Sequence, residues 1–344
     1  MPKLRKDNHY VPKLYLKQWA RDGMIPTYRL LVPSDKCPLW KDQTLKSIAF
    51  HQHLYTYFAG QEETDEFERW LDREFESPAE EAISRVVREQ QMSPDHWNRL
   101  LRFAVAQDVR TPARLREFLR RQNETLPAML NEVVESSVRG MEHAVKTGIP
   151  LPLPKGDNAN IFPLRVITRK GPDGDSVLEA KTVVGRRLWL WSVRHHLTST
   201  LTRIPSLRWT ILHAPVGISW PTSDNPLIRL NFNSAQNYDF GGGWGVRNGD
   251  ILLPLSPKHL LYTCIGRKPP QRGVTLDEAT ARQVRKMLIE HADRYVFSQD
   301  PSEIHLIRPR KVCADTFKNE QLAWKNWHQE QCEAEAELLF KPTE

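Results

Sequence analysis

Residues Asn8 to Pro12 read NHYVP and set an imidazole, His9, at the mouth of a helix that Pro12 is suited to start. A histidine there can keep one ring nitrogen free as base, acid or metal ligand. It can equally serve as a helix entry, with His9 bonding backbone and Tyr10 packing. The stretch AQDVRTPARLREFLRR, 106–121, places Gln107, Arg110 and Arg114 on one helical face. Arg110 there can grip a carboxylate or phosphate through two N–H groups. Arg116, Arg120 and Arg121 fit a solvated face instead. A third set is PTSDNPL, 221–227, in which a strand ends in Ser223, Asp224 and Asn225 before Pro226. A carboxylate at a strand end suits a metal ligand or general base. The same residue types also build turns through side-chain bonds to backbone.

Other sets are less specific. In ETDEFERWLDREFESPAEE, Glu68 and Asp72 stand four apart and can hold a divalent cation. The charge pattern favours a solvated face paired to Arg69 and Arg73. His195 and His196 are adjacent, so a helix points them apart and turns one toward a polar core. Lys258 adds a cation after LPLSP. The run GGGWG lacks the strand and helix context of a phosphate loop and reads as a turn. Phosphate-loop, dinucleotide, nucleophile-elbow, zinc-protease and kinase motifs are all missing, which argues against standard nucleotide hydrolysis and dinucleotide redox chemistry. Cys37, Cys264, Cys313 and Cys332 are scattered, a spacing that argues against a structural zinc or a disulfide framework.

The elements that must position these residues belong to an α+β fold: a mostly helical N-terminal half with a small β element, then an antiparallel meander sheet flanked by helices. At 344 residues the chain exceeds the size at which one core usually stops growing. A helical lobe over 1–147, a Pro- and Gly-rich connector over 148–175 and a sheet lobe over 176–344 are therefore expected. Helices are expected over Val11–Ala20, over Glu62–Gln91 with a break at Pro78, over Pro94–Asn123 divided at Pro112, and over Leu126–Lys146, Val177–Thr202 and Thr275–Arg294, with a terminal helix from Lys311. Strands are expected over Thr27–Val32, Leu54–Phe58 and five runs between Leu207 and Ile265. Cys37, Pro38 and Trp40 fall in a loop, and Tyr295–Ile307 is extended.

The balance of 49 Lys and Arg over 42 Asp and Glu gives a net charge of +7, which favours anionic partners such as nucleic acid. The basic start lacks the apolar stretch of a secretory leader, and no apolar run is long enough to span a bilayer. A reduced, cytoplasmic protein without membrane contact is expected.

Taken in order, NHYVPKLYLKQW, SIAFHQHLYTY, QDVRTP, TSDNP and LPLSP resemble DUF4238, an uncharacterised bacterial family with an HYVP-type opening and an SDNP-type strand end. The resemblance spans about His9 to Phe297 and implies that His9, Tyr10, Pro12, Gln107, Arg110, Ser223, Asp224, Asn225 and Pro226 occupy motif positions. It further implies a link to antiphage defence. The expectation that follows is a defence effector acting on nucleic acid, in particular a nuclease, with His9, Asp224 and Arg110 catalytic. Tyr10, Gln107, Arg114, Ser223, Asn225 and Lys258 would bind substrate, a divalent cation such as Mg2+ is compatible, and a phage component is a conceivable partner. The rival readings are a non-catalytic sensor or binding module and an enzyme acting on a nucleotide-like metabolite.

Overall fold

The computed structural model describes residues 4–59, 62–150, 162–170, 176–201 and 207–340. The chain opens with β1 (Asp7–His9), the short helix α1 (Lys13–Leu16) and a 3-10 turn (Lys17–Trp19). Next come β2 (Met24–Arg29), β3 (Leu31–Val32), β4 (Trp40–Thr44), β5 (Phe50–Gln52), β6 (Tyr57–Ala59) and β7 (Glu62–Thr64). The helices α2 (Glu66–Leu71), α3 (Ala79–Val87), α4 (Pro94–Val109) and α5 (Pro112–Thr147) follow, with a π-helical turn over Asp72–Glu76. The hairpin β8 (Arg165–Lys170) and β9 (Ser176–Lys181) precedes α6 (Arg186–His195), β10 (Thr210–His213), β11 (Thr222–Ser223), β12 (Ile228–Ser234), β13 (Asn237–Asp239), β14 (Asp250–Pro254) and β15 (His259–Cys264). The last elements are α7 (Glu278–His291), β16 (Tyr295–Phe297), α8 (Ile304–Ile307), β17 (Lys311–Val312) and α9 (Ala314–Phe340).

Proline sets the helix boundaries. Pro78 stands just before α3, where the sequence places the break. Pro112 occupies the first turn of α5, and the Thr111 hydroxyl caps it by accepting the Arg114 N–H. The two helices expected on either side of residues 123–126 are one, because α5 continues through Pro127. The only bond Pro127 withholds is to the Asn123 carbonyl, and Asn123 is exposed, so water can satisfy that group. The helix expected from Val177 is corrected. Val177 and Leu178 belong to β9, whose pairing with the β-branched run of β8 sets Ile167 opposite Glu179, and α6 begins only at Arg186. Trp40 begins β4 instead of lying in a loop, Leu54 and Tyr55 are buried in a turn before β6, and the segment after Phe297 closes into α8.

The fold class is α+β, with helices concentrated in the N-terminal half and antiparallel sheets in the C-terminal half. The main sheet has the order β10-β15-β14-β12-β13 and is antiparallel throughout. It departs from a simple meander, because β11 leaves to join a second sheet of order β11-β16-β2-β4. Trp220 explains the departure. Its ring is fully buried and its indole N–H donates to Ala281 O at 3.2 Å, so the run around it turns inward and only Thr222 and Ser223 pair as strand. β17 closes the fold by pairing in parallel with β3.

The largest apolar cluster draws on both expected lobes. Tyr15, Trp19, Leu71 and Phe103 pack in it with Trp189, Ile211, Leu253 and Phe297. Each such side chain contributes about 1.5–3 kcal/mol by leaving water. Of the expected connector 148–175, residues 151–161 and 171–175 lie outside the described residues, and 165–170 form β8. No helix among the described residues is long and apolar enough to cross a membrane.

Candidate functional site

The helix entry after HYVP and the strand run leading into SDNP are fastened together by buried hydrogen bonds. The Tyr15 hydroxyl lies 2.7 Å from Thr222 Oγ1 and donates to Pro254 O at 2.6 Å, while the Trp19 indole donates to Trp220 O at 2.9 Å. The QDVRTP turn joins the same region, because Thr111 Oγ1 donates to Asn225 Oδ1 at 3.2 Å. Asn225 in turn clasps His291. Its Nδ2 lies 3.3 Å from His291 Nε2, and its carbonyl lies 2.9 Å from His291 Nδ1. This pairing requires an Nδ1–H tautomer, with the Asn225 amide donating to Nε2. Ser223 Oγ accepts the Asn225 N–H and fixes the turn.

Arg110 does not face a cleft. Its guanidinium is fully buried and donates to Glu76 Oε1 at 2.6 Å, to His9 O at 2.5 Å and to the Tyr55 hydroxyl at 3.3 Å. Glu68 lies in the same pocket, and burial drives its carboxyl up to about 8 against the pull of Arg110. Of the acidic face expected to be solvated, Glu68 is therefore internal, whereas Asp72 is half-exposed and Arg73 exposed. Arg69 pairs with Asp65, Arg73 with Glu74, and Asp72 with Arg5. His9 packs against Phe50, and burial followed by the Lys13 charge lowers its pKa to about 4, so the ring is neutral at pH 7. Gln107 is completely buried with no hydrogen-bond partner on either amide atom.

A small cleft of about 50 Å³ collects one residue from each of four motif segments: Tyr10, His51, Pro112 and Asp224. Asp293, Arg116, Arg294, Glu320 and Trp324 are among the residues that form its other walls. Asp224 accepts the backbone N–H groups of Asp293 at 2.9 Å and Arg294 at 2.8 Å, which fixes its carboxyl at the entry to β16. Burial, reinforced by the nearby Asp293 charge, raises Asp224 to about 7 despite those N–H donors. Tyr10 is pushed well above its ordinary value by burial and then by Asp224. Arg116 pairs with Asp293, and Arg294 forks onto Glu320. Opposite the charges, His51 is sandwiched between Tyr10, with centroids 5.5 Å apart, and Trp324, at 3.7 Å. Burial and then Arg116 lower His51 to about 4.

Of the residues singled out in the sequence, Tyr10 and Asp224 line this cleft, whereas His9, Arg110, Gln107, Ser223 and Asn225 are absent from its walls. Arg114 pairs with Asp108 and Glu117 in a neighbouring hollow of about 140 Å³. Lys258 is exposed beside His259. His195 and His196 are both exposed, so neither is polar core. Arg116 is exposed, as expected of a solvated face, and pairs with Asp293 at the rim of the cleft. Sequence reasoning missed His51, Asp293, Arg294 and Trp324. Only His51 had a signal, lying within SIAFHQHLYTY. A larger hollow of about 910 Å³ between α5, the β8–β9 hairpin and α9 contains no motif residue. Among the described residues, two groups have metal-ligand character, His53–Glu63–His328 and Glu89–His213–His259.

No curated protein and no solved structure matches the chain. A family model described as a protein of unknown function, DUF4238, matches residues 7–302, which contain every motif segment and the cleft's lining except its α9 side. The chain therefore belongs to the DUF4238 family of proteins of unknown function.

Proposed function

We propose that this DUF4238 chain is an antiphage-defence effector that cleaves phosphodiester bonds of nucleic acid at the Asp224 cleft. The observation that carries this reading is the convergence of four separated motif segments on one hollow in which Asp224 is held near neutrality. A carboxyl with a pKa close to the working pH is suited to accept a proton from an attacking water or hydroxyl. Arg116 and Arg294, beside it, offer charge to the developing phosphorane once they exchange Asp293 and Glu320 for substrate oxygens. Asp224 and Asp293 are the carboxylates that would hold a divalent cation such as Mg2+ beside a substrate phosphate once Arg116 releases Asp293. The half-exposed Trp324 ring, one face of which covers His51, gives a flipped or single-stranded base a surface to stack on. At about 50 Å³ the hollow admits a phosphate-sized group and not a whole nucleotide, which favours a polymer lying across it over a free metabolite. The defence setting rests on the family resemblance.

The test is expression of wild type, Asp224→Asn, Arg116→Ala and His51→Ala in bacteria with and without phage, with electrophoresis of total RNA and DNA. Fragments present with the wild type and lost in well-folded variants support the reading. Intact nucleic acid together with phage protection sinks it. A non-catalytic sensor is the second reading, favoured by the fact that both Asp224 oxygens already accept backbone N–H groups. Capture of a stable phage-derived partner with nucleic acid unchanged would establish it.

A further inference from the structure

Two histidines on neighbouring strands and a glutamate from the end of α3 meet at one side of the main sheet. His213 ends β10, His259 opens β15, and the two are register partners. Their backbones bond outward. The His213 N–H donates to Val274 O, its carbonyl accepts the Leu276 N–H, and the His259 carbonyl accepts the Leu255 N–H. They are therefore a pair without mutual backbone hydrogen bonds, the register in which facing side chains come closest. The ring centroids lie 4.9 Å apart and the planes cross at 84°. Two imidazoles bound to one ion at about 2.0–2.1 Å, at a near-tetrahedral angle, hold their centroids roughly 5 Å apart. Planes crossed so steeply share a line, along which one ion can lie in the plane of both rings. Glu89 completes the group. Its Oε1 lies 3.7 Å from His259 Nε2, and one ligand atom from each of the three residues falls within 4.8 Å of the other two. The N-to-O edge of a zinc tetrahedron is roughly 3.3 Å. Glu89 is exposed and its carboxylate has no other partner among the described residues, so a small rotation closes the gap.

Two further observations point to an ion. His259 is only 4% exposed, its Nδ1 lies 2.7 Å from Ser256 Oγ, and its Nε2 is buried with no hydrogen-bond partner. With the proton on Nδ1, directed at Ser256, Nε2 carries a lone pair toward a carboxylate, and two facing acceptors need a cation between them. Neither ring nitrogen of the half-buried His213 is hydrogen-bonded among the described residues, so that ring is free to ligate as well. Glu89 is the second case. It stands just past the C-terminus of α3 at φ 55°, with its N–H on Val86 O, a position that favours glycine and lies at the negative end of the helix. An acidic side chain is disfavoured there on both counts unless a cation answers it. Arg272 holds the same turn in place by donating to Gln90 O at 2.7 Å.

We propose that His213, His259 and Glu89 bind one zinc ion as an open, three-ligand site whose fourth position takes water, and that the ion clamps the end of α3 to the β10–β15 pair. Two neutral imidazole nitrogens and one carboxylate are a donor set that zinc takes when one coordination position is left for water. Ser256 is the outer anchor that fixes the tautomer and orientation of His259. The exposed Glu89 and half-buried His213 leave the ion a way in from solvent. None of the three residues lines the Asp224 cleft, so the site stands apart from the proposed cleavage chemistry. Sequence spacing conceals it, because the β10–β15 register and the α3 terminus bring the ligands together.

The full chain, stripped with chelator, is titrated with Zn2+ by isothermal calorimetry. The proposal requires about one Zn2+ per chain, a melting temperature raised by zinc, and no displacement by a large excess of Mg2+, since imidazole is a poor ligand for hard ions. His213→Gln must abolish stoichiometric binding. Glu89→Gln, at an exposed position that leaves the core untouched, must weaken it by more than about tenfold and serves if His213→Gln does not fold by far-UV circular dichroism. His328→Gln, in the other histidine group, must leave binding intact. Absence of stoichiometric zinc in the wild type, binding unchanged in Glu89→Gln, or binding lost in a folded His328→Gln overturns the assignment.

Discussion

Thr111 Oγ1 and Asn225 Oδ1 lie 3.2 Å apart across 114 positions of sequence, and the same hydroxyl caps α5. One side chain therefore starts a helix and ties it to the turn that presents Asp224. Thr111→Val and Asn225→Ala are each expected to cost about 1–3 kcal/mol, since each leaves a buried polar partner unsatisfied. Urea denaturation of both single variants and the double variant should show coupling, with the double costing less than the sum.

Arg110→Ala is expected to destabilise by about 3–5 kcal/mol, because it strands Glu76 and the His9 carbonyl in a buried pocket. Arg110→Lys should recover little, since a point charge cannot replace the forked contacts to Glu76, His9 and Tyr55. Equilibrium unfolding checks both. A variant that stays fully stable yet loses activity would make Arg110 a substrate contact.

His291, lowered to about 4 by burial and then by Arg114, gives the chain an acid-sensitive limb. The unfolded chain takes a proton near pH 6.5 while the folded one resists until about 4. Stability from this group is thus complete above 6.5 and falls as the pH drops toward 4. The slope approaches about 1.4 kcal/mol per pH unit for one proton. Asp224, raised to about 7, works in the opposite sense, making the chain less stable as the pH rises from about 4 to 7. Melting temperatures across this range should flatten on the acid side in His291→Gln and steepen there in Asp224→Asn.

For cleavage, Asp224 acts as base only when ionised. The rate should rise with pH and level off above about 7. Asp224→Asn should remove that dependence along with most of the activity, measured on a labelled single-stranded substrate.

Local sequence signals located most helix boundaries, since Pro78 and Pro112 act on the backbone alone. They failed at α5, where Pro127 is tolerated on an exposed face, and at Val177, where strand pairing with β8 overrode helical spacing. The motif residues Tyr10 and Asp224 were legible as candidates. Asp293, Arg116 and Trp324 were not, because what places them in the cleft is tertiary: α7, α5 and α9 bring them there from positions with no shared pattern. Arg110 was legible as special but not as buried, since a guanidinium on a helix face looks the same in sequence whether it meets solvent or Glu76.

The pairing of β2 with β16 sets Arg29 opposite Tyr295, so the sheet that seats the Asp224 turn cannot form until residues 295–297 exist. At roughly 5–20 residues per second, a ribosome needs tens of seconds between making the two strands. Through most of that interval the HYVP segment has its partner β5 but not its SDNP neighbour. A nascent chain arrested before residue 297 would hold the SDNP turn without its β16 partner, which means the cleft comes into being only after the helical half has already emerged.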